Sequence, residues 1–256
     1  MAKWTAFPHG DDYRHDAAAL KKHWSRLHAG DAEALPKDAK LLEAWGLFHA
    51  GDFQKAHEAG LKLGPAGTSV ANKAQAIYAN YLEKSEKNKL AMFMEVAQRA
   101  EAQTASEPKN PAGWYWQAYA LGRYSQGISV AKALAQGLGA KVKNALQTAI
   151  ELEPKHADAH IGLGTFHAEV IDKVGKLLAK TQGADAATGL RMFKRALELN
   201  PTSAIAMIEY ANGLVMLEGD KRMKDAEALY ADAAACTPMD AMERLDVEMA
   251  KAELED

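Results

Sequence analysis

The segment MFKRALELNPTSAIAMIEYANG, residues 192–213, contains two runs of helical character on either side of a proline. Small and apolar residues recur at helical spacing in both runs. Pro201 ends the first run, because proline cannot continue a helix, and a new run follows it. Similar endings occur in ALQTAIELEP at 145–154 and LYADAAACTP at 229–238. This recurrence predicts a helix-turn-helix unit that the chain repeats.

The rest of the chain agrees with an all-α fold. Alanine is abundant, and the strict alternation of apolar and polar residues that indicates a strand is nearly absent. Prolines and glycines fall between the periodic segments. A single helix pair cannot bury its own apolar face, so the pairs are expected to stack into an α-solenoid.

The repeated pattern resembles the tetratricopeptide repeat (TPR), a helix pair of about 34 residues. The resemblance covers roughly residues 38–238 and implies about five units, the first two near 43–65 and 69–103. The residues of the last three units that match its packing pattern are Trp114, Ala118, Leu121, Leu146, Ala149 and Pro154; His160, Leu163, Gly164, His167, Gly189, Phe193, Ala196 and Pro201; and Met207, Tyr210, Ala211, Leu214, Ala226, Tyr230, Ala233 and Pro238.

The predicted architecture is one solenoid domain over residues 1–256. Residues 1–37 form an N-terminal cap, and residues 239–256 form a C-terminal capping helix with Met242, Leu245 and Met249 as its apolar stripe. Units three and four carry extra residues, at 123–141 and 169–185. We interpret them as prolongations of the first helix of each unit by about three turns. Two long helices are then expected to project together beyond the repeats.

With these insertions the chain resembles the regulator of microtubule dynamics family and is similar to TPR proteins associated with TRAP-type transporters. Both resemblances imply a binding protein without catalytic activity. The transporter-associated lipoproteins carry a lipid-accepting cysteine near their start, and this sequence has none there.

The charge, cysteine content and hydropathy of the sequence exclude several classes of protein. A net charge of −3 and a pI near 6.3 lack the excess of positive charge that is typical of nucleic-acid-binding proteins. The single cysteine, Cys236, excludes an internal disulfide, and we interpret it as an inert thiol. The sequence contains neither a signal peptide pattern nor an apolar run of about 18 residues. We therefore expect a cytoplasmic, bacterial-type protein with no transmembrane segment.

Three histidines in EPKHADAHIGLGTFHAEV, residues 153–170, raise the alternative of a metal site. His156 and His160 are four residues apart, a spacing that suits metal binding on one helical face. However, His156 precedes the predicted helix, and His160 and His167 occupy packing positions of the repeat. We favour packing roles for all three and predict no metal or cofactor. The other histidines, within the first 60 residues, are expected at the surface or in the cap.

The predicted binding surface is the concave groove, which is lined by first-helix residues offset from the packing positions. These residues are Tyr115, Tyr119 and Arg123 in unit three; Asp158, Ile161, Thr165 and Glu169 in unit four; and Ile205, Ile208, Asn212 and Met216 in unit five. Aromatic, arginine and asparagine side chains suit recognition of an extended peptide. Packing of Tyr115 and Tyr119 against the projecting helices remains an equal alternative.

Three functional hypotheses follow. The first is a non-catalytic adaptor that binds a protein or peptide in the groove. The second is a carrier of a small or acyl ligand between the prolonged helices of units three and four. The third, ranked last, is a metal-dependent enzyme around His160 and His167. Exposed apolar surface on the projecting helices would also favour a homo-oligomer.

Overall fold

The computed structural model describes residues 3–9 and 13–255. Within them the chain forms thirteen α-helices and no strand, which confirms the all-α class. The remaining residues of the two predicted caps, 1–2, 10–12 and 256, lie outside the described part. The helices are α1 (Ala17–Leu27), α2 (Ala39–His49), α3 (Phe53–Lys62), α4 (Thr68–Tyr81), α5 (Glu86–Ser106), α6 (Pro111–Gln126), α7 (Val130–Ala135), α8 (Leu138–Leu152), α9 (Ala157–Thr181), α10 (Ala186–Leu199), α11 (Ala204–Glu218), α12 (Met223–Ala235) and α13 (Ala241–Glu255).

Five helix pairs build the body: α2 with α3, α4 with α5, α6 with α8, α9 with α10, and α11 with α12. Local sequence fixes where several of these helices begin, because the side chains of Ser85, Asn110, Asp185 and Ser203 accept hydrogen bonds from backbone N–H groups of the helices that follow them. Each pair also packs on the next, as α5 does on α6 and α9 on α11. The stacked-repeat prediction is therefore confirmed.

Close packing between units depends on small residues facing a large one. The ring of Phe193, which is fully buried, lies between Gly164 of α9 and Gly213 of α11 and stacks on Tyr210 at 5.5 Å. A Cβ atom added at Gly164 would come within 2.8 Å of that ring. Glycine at these two sites lets neighbouring helices approach across a flat aromatic side chain.

The insertion of unit three differs from the prediction. Helix α6 ends at Gln126, and the chain then forms the short helix α7 before α8. The break has local causes: Gly127 ends α6, the Ser129 side chain accepts from the Lys132 N–H to start α7, and Gly137 adopts φ 63° between α7 and α8. The prediction of a prolonged helix is wrong for this unit.

The insertion of unit four does prolong its first helix. Helix α9 runs to Thr181, with a kink at Gly175 (φ 76°, ψ 158°). Because unit three carries the short helix α7 in place of a prolonged helix, the expected pair of long adjacent helices does not form. Leu177 and Leu178, just after the kink, are nevertheless exposed, so self-association stays a prediction.

The C-terminal helix packs on α12 and α11 of the last unit and also contacts the N-terminal helices. Leu245 of α13 packs among residues of the N-terminal helices, whereas Val247 packs with α11 and α12. Glu243 pairs with Arg26 of α1, and Asp246 accepts a hydrogen bond from the Tyr81 hydroxyl of α4. Helix α13 therefore joins the last unit to the first two and has no broad solvated face.

Replacement of Tyr81 with phenylalanine is expected to lower the free energy of unfolding by about 1–3 kcal/mol, because it removes the hydrogen bond to a buried carboxyl group. Asp246 is 3% exposed, and the Tyr81 hydroxyl is the donor that the described residues offer to its carboxyl group. Urea denaturation measures the effect. Tyr124→Phe, on a half-buried ring of α6, is the matched control. Equal losses in the two variants would contradict a specific role for the Tyr81–Asp246 contact.

A chain of buried polar side chains also connects the first units to the C-terminal segment. His28 joins Asp31 at 2.8 Å and His49 at 3.2 Å, and His49 joins Asp240 at 2.7 Å. Lys73 completes the chain through an ion pair with Asp31 at 2.6 Å. The expectation of surface or capping roles is therefore wrong for His49 and His57, which are buried in α2 and α3, whereas His28 is a buried residue of the cap that ends α1.

No helix in the described part of the chain has both the length and the apolar composition needed to cross a bilayer.

Candidate binding site

A cavity of about 490 Å³ lies on the concave side of units three and four. Residues of α6, α7, α8 and α9 make up most of its lining. Its apolar lining is Ile77, Trp116, Ala118, Ile128, Val130, Ala133, Leu134, Leu138, Val142, Leu146, Ile161, Phe166, Val170, Val174, Ile205 and Met242. Its size and lining are typical of a small-molecule site.

Polar side chains reach the lining from helices that also supply apolar residues. Helices α4, α6, α9, α11 and α13 contribute Lys73, Tyr81, Tyr115, Tyr119, Arg123, Asp158, Thr165, Glu169, Lys173, Glu209 and Asp246. The lining residues from α7 and α8, by contrast, are apolar or glycine. A ligand in this cavity would therefore meet a uniformly apolar surface on α7 and α8 and a mixed surface on the other helices.

Arg123 organises one part of the polar lining. Its guanidinium donates to Glu209 of α11 at 3.1 Å and lies 5.5 Å from the centre of the Tyr119 ring. Thr165 donates to the same carboxylate at 3.0 Å. These contacts hold α6, α9 and α11 in register along the groove.

Two carboxyl groups in the cavity have strongly shifted pKa values. Burial raises the pKa of Asp158 to about 7, although Lys73 acts in the opposite direction. Burial also raises the pKa of Asp246 to about 8, against the effect of the Tyr81 hydrogen bond and with further increases from neighbouring carboxylates. Ionising either group inside the cavity is therefore costly without a cation nearby.

The structure brings most of the predicted groove residues together. Those that line the cavity are Tyr115, Tyr119, Arg123, Asp158, Ile161, Thr165, Glu169 and Ile205. Asn212 and Met216 line an adjoining groove of about 270 Å³. Ile208 lines neither: it is 2% exposed and packs with Val247 of α13, which covers that part of unit five. The two surfaces that the sequence left as alternatives, groove and insertions, form one cavity.

The three histidines of residues 153–170 make separate contacts. His156 caps α9 by accepting from the Ala159 N–H at 3.2 Å, His160 contacts the Pro154 carbonyl at 3.1 Å, and His167 accepts from the Asp185 N–H at 3.1 Å. The structure thus gives each ring one backbone partner, while Nε2 of His156 and Nδ1 of His160 are buried without a hydrogen-bond partner among the described residues. Within residues 3–9 and 13–255, no three His, Cys, Asp or Glu side chains are arranged to hold a metal ion.

Sequence reasoning missed Lys73, Tyr81 and Asp246 as cavity residues. A signal existed for Lys73, which is the single charged residue in the helix TSVANKAQAIYANY. A lone charge in such a helix indicates a buried partner. Asp246 reaches the cavity only because α13 folds back, which no local pattern indicates.

Comparison with known proteins agrees with this architecture. The profile of the family described as Regulator of microtubule dynamics protein 1-3 matches residues 68–244. The chain is also similar to the crystal structure of a thermophilic TPR protein from Thermus thermophilus, with a TM-score of 0.59 and 17% identity over 83% of this chain and 97% of the other. At that identity the likeness shows a shared fold. No curated protein sequence matches the chain significantly.

Proposed function

The chain belongs to the Regulator of microtubule dynamics protein 1-3 family, and from that premise we propose that it is a non-catalytic binding protein whose ligand occupies the groove cavity. The observation that carries this proposal is the covered groove: predicted groove residues and both insertions surround one space of about 490 Å³. Most sites for small molecules are concave, largely apolar and provided with a few polar groups, as this cavity is.

The covering elements favour a compact ligand over a long extended peptide. Residues of α7 at unit three and Met242 and Asp246 of α13 line the same space as the predicted groove residues. At unit five, α13 buries Ile208. A peptide running along all five units would need a continuous open groove, which these helices interrupt.

The lining further supports an amphiphilic ligand. An apolar chain placed against α7 would remove Val130 and Leu134, which are 41% and 45% exposed, from water, at roughly 25 cal/mol per Å² of apolar surface. The polar side chains of α4, α6 and α13 would then face the ligand's head group. This is the carrier hypothesis, with the ligand held against the groove itself.

Native mass spectrometry of the protein, purified from its native source without detergent, tests this proposal. We expect a bound small molecule on the wild type and its loss in Ala133→Trp, because Ala133 faces the cavity and an indole there would fill part of it. Ala131→Trp, on the exposed side of the same helix α7, is the control and should retain the molecule. Retention in both variants would place the ligand elsewhere.

The adaptor hypothesis remains the second candidate, supported by the adjoining groove. Asn212, Met216 and Gln126 line this second space beside the main cavity. A short peptide segment could bind there while α7 and α13 stay in place. A pull-down from the native source should then recover one protein with the wild type and lose it with Met216→Ala, while Ala133→Trp retains it. The reverse pattern would favour the cavity.

A further inference from the structure

The cavity lining contains more acidic groups than its cations can balance. Each of the three cations that line it in the described part of the chain already has an acidic partner: Lys73 with Asp31 at 2.6 Å, Arg123 with Glu209 at 3.1 Å, and Lys173 with Glu169 at 3.1 Å. Two lining carboxyl groups, those of Asp158 and Asp246, have no ion-pair partner among the described residues. Both side chains line the same cavity, and the Asp158 carboxylate contributes to the raised pKa of Asp246.

Asp158 is held in place without a described partner for its carboxylate. Its backbone N–H donates to the Gly30 carbonyl at 2.9 Å, and its side chain lies directly over Gly30. Only charges at longer range, chiefly Lys73 and Asp31, act on the carboxyl group in addition to burial. Within residues 3–9 and 13–255, the structure therefore fixes an acceptor in the cavity lining and leaves it unused.

Asp246 has one neutral partner, the Tyr81 hydroxyl. The other charges acting on it are carboxylates, those of Asp240, Glu243 and Asp158. The rings of Tyr115 and Tyr119 line the same cavity. Unpaired carboxyl groups beside aromatic rings favour a positively charged guest, since both interact attractively with a cation.

We propose that Asp158 and Asp246, together with the ring of Tyr115, form a subsite for a cationic head group, so that the ligand is an amphiphile bearing an ammonium group on an apolar chain. This inference rests on the proposed function, because it names the chemistry of a ligand in the same cavity. The apolar chain lies against α7 and α8. The ammonium group lets the buried carboxyls ionise, which offsets the cost that burial imposes on them. A carboxylate head group would instead add a further negative charge.

Isothermal titration calorimetry with three amphiphiles of equal chain length tests the proposal. Dodecylamine, dodecanol and dodecanoate are titrated at neutral pH, below the concentrations at which they aggregate. A charge-assisted pair is about twice as strong as a neutral one, so we expect dodecylamine to bind roughly tenfold more tightly than dodecanol. Dodecanoate is expected to bind most weakly.

Two variants assign the effect to the subsite. Asp158→Asn and Asp246→Asn keep the shape of each side chain, and an asparagine at 246 can still accept from Tyr81. Because both carboxyls have raised pKa values, their neutral replacements should fold at least as well as the wild type. Each should weaken dodecylamine binding by about tenfold and leave dodecanol nearly unchanged. Asp172→Asn, an exposed site on the same helix α9, is the control and should change neither.

The outcomes separate this inference from the proposed function. Equal binding of amine and alcohol, tightest binding of dodecanoate, or an equal effect of Asp172→Asn overturns the cationic subsite while the cavity remains a binding site. If none of the three amphiphiles binds the wild type, the cavity proposal fails, and the subsite fails with it.

Discussion

Replacing Lys73 with methionine is expected to lower the free energy of unfolding by about 3–5 kcal/mol at neutral pH, because it leaves a buried carboxylate without its main counter-charge. Lys73 is 2% exposed and Asp31 is 9% exposed, and their charged groups are 2.6 Å apart. The ammonium group also lies 5.1 Å from the centre of the Phe48 ring. Methionine retains much of the aliphatic chain, so the loss of stability arises mainly from removal of the positive charge. Urea denaturation followed by circular dichroism measures it.

A double-mutant cycle isolates the pair. Asp31→Asn in the Lys73→Met background removes the stranded charge, while the asparagine oxygen can still meet His28, so most of the lost stability should return. Lys55→Met is the control for loss of a lysine, because the Lys55 side chain is 66% exposed in its pair with Asp52. Its effect should stay within about 0.5 kcal/mol. A double variant no more stable than Lys73→Met would contradict a charge-pair explanation.

The free energy of unfolding of Lys73→Met should also depend on pH differently from that of the wild type. In the wild type, burial would raise the pKa of Asp31, but Lys73 and His28 more than offset this and hold it well below its usual value. Asp31 therefore contributes stability above its unfolded pKa, and that contribution disappears only as the pH falls through the low folded pKa. Without Lys73, burial dominates, the carboxyl pKa rises, and ionising Asp31 costs stability as the pH rises. The difference between wild type and Lys73→Met should therefore shrink from pH 7 to pH 5.

The repeats could be predicted from the sequence because their determinants are local. Ala196, Ala211 and Ala233 are small where the TPR pattern requires close helix approach, and all three are fully buried. The break between α6 and α7 was also readable in principle, from Gly127 and the capping Ser129. The prediction nevertheless extended the helix, because the spacing of apolar residues stays helical across those two signals.

The return of α13 to the first units could not be predicted in the same way. It depends on the curvature accumulated over five helix pairs, which the spacing within one repeat does not determine. Most of the groove residues were identified because the repeat register places them on one helical face. Asp246 and Tyr81 meet only after the chain has closed, 165 residues apart in sequence. The acidic part of the cavity is therefore a property of the assembled superhelix.

Replacing Phe193 with alanine is expected to lower the free energy of unfolding by about 3–5 kcal/mol, because removal of a fully buried ring leaves a void that its neighbours cannot fill. Gly164 and Gly213, which face the ring from α9 and α11, have no side chains with which to close the gap. Alanine would leave the stacked Tyr210 ring without its partner as well. Packing between units four and five should therefore weaken.

Urea denaturation monitored by near- and far-ultraviolet circular dichroism tests this expectation, with coincident transitions as the check that one unfolding free energy describes the chain. Leu177→Ala is the matched control, since it also truncates a large apolar side chain but at a position that is 86% exposed. Its effect should stay within about 0.5 kcal/mol. Phe193→Leu, which retains part of the volume, should lie between wild type and Phe193→Ala. A loss in Phe193→Ala no larger than in Leu177→Ala would mean that units four and five are not held together across this ring.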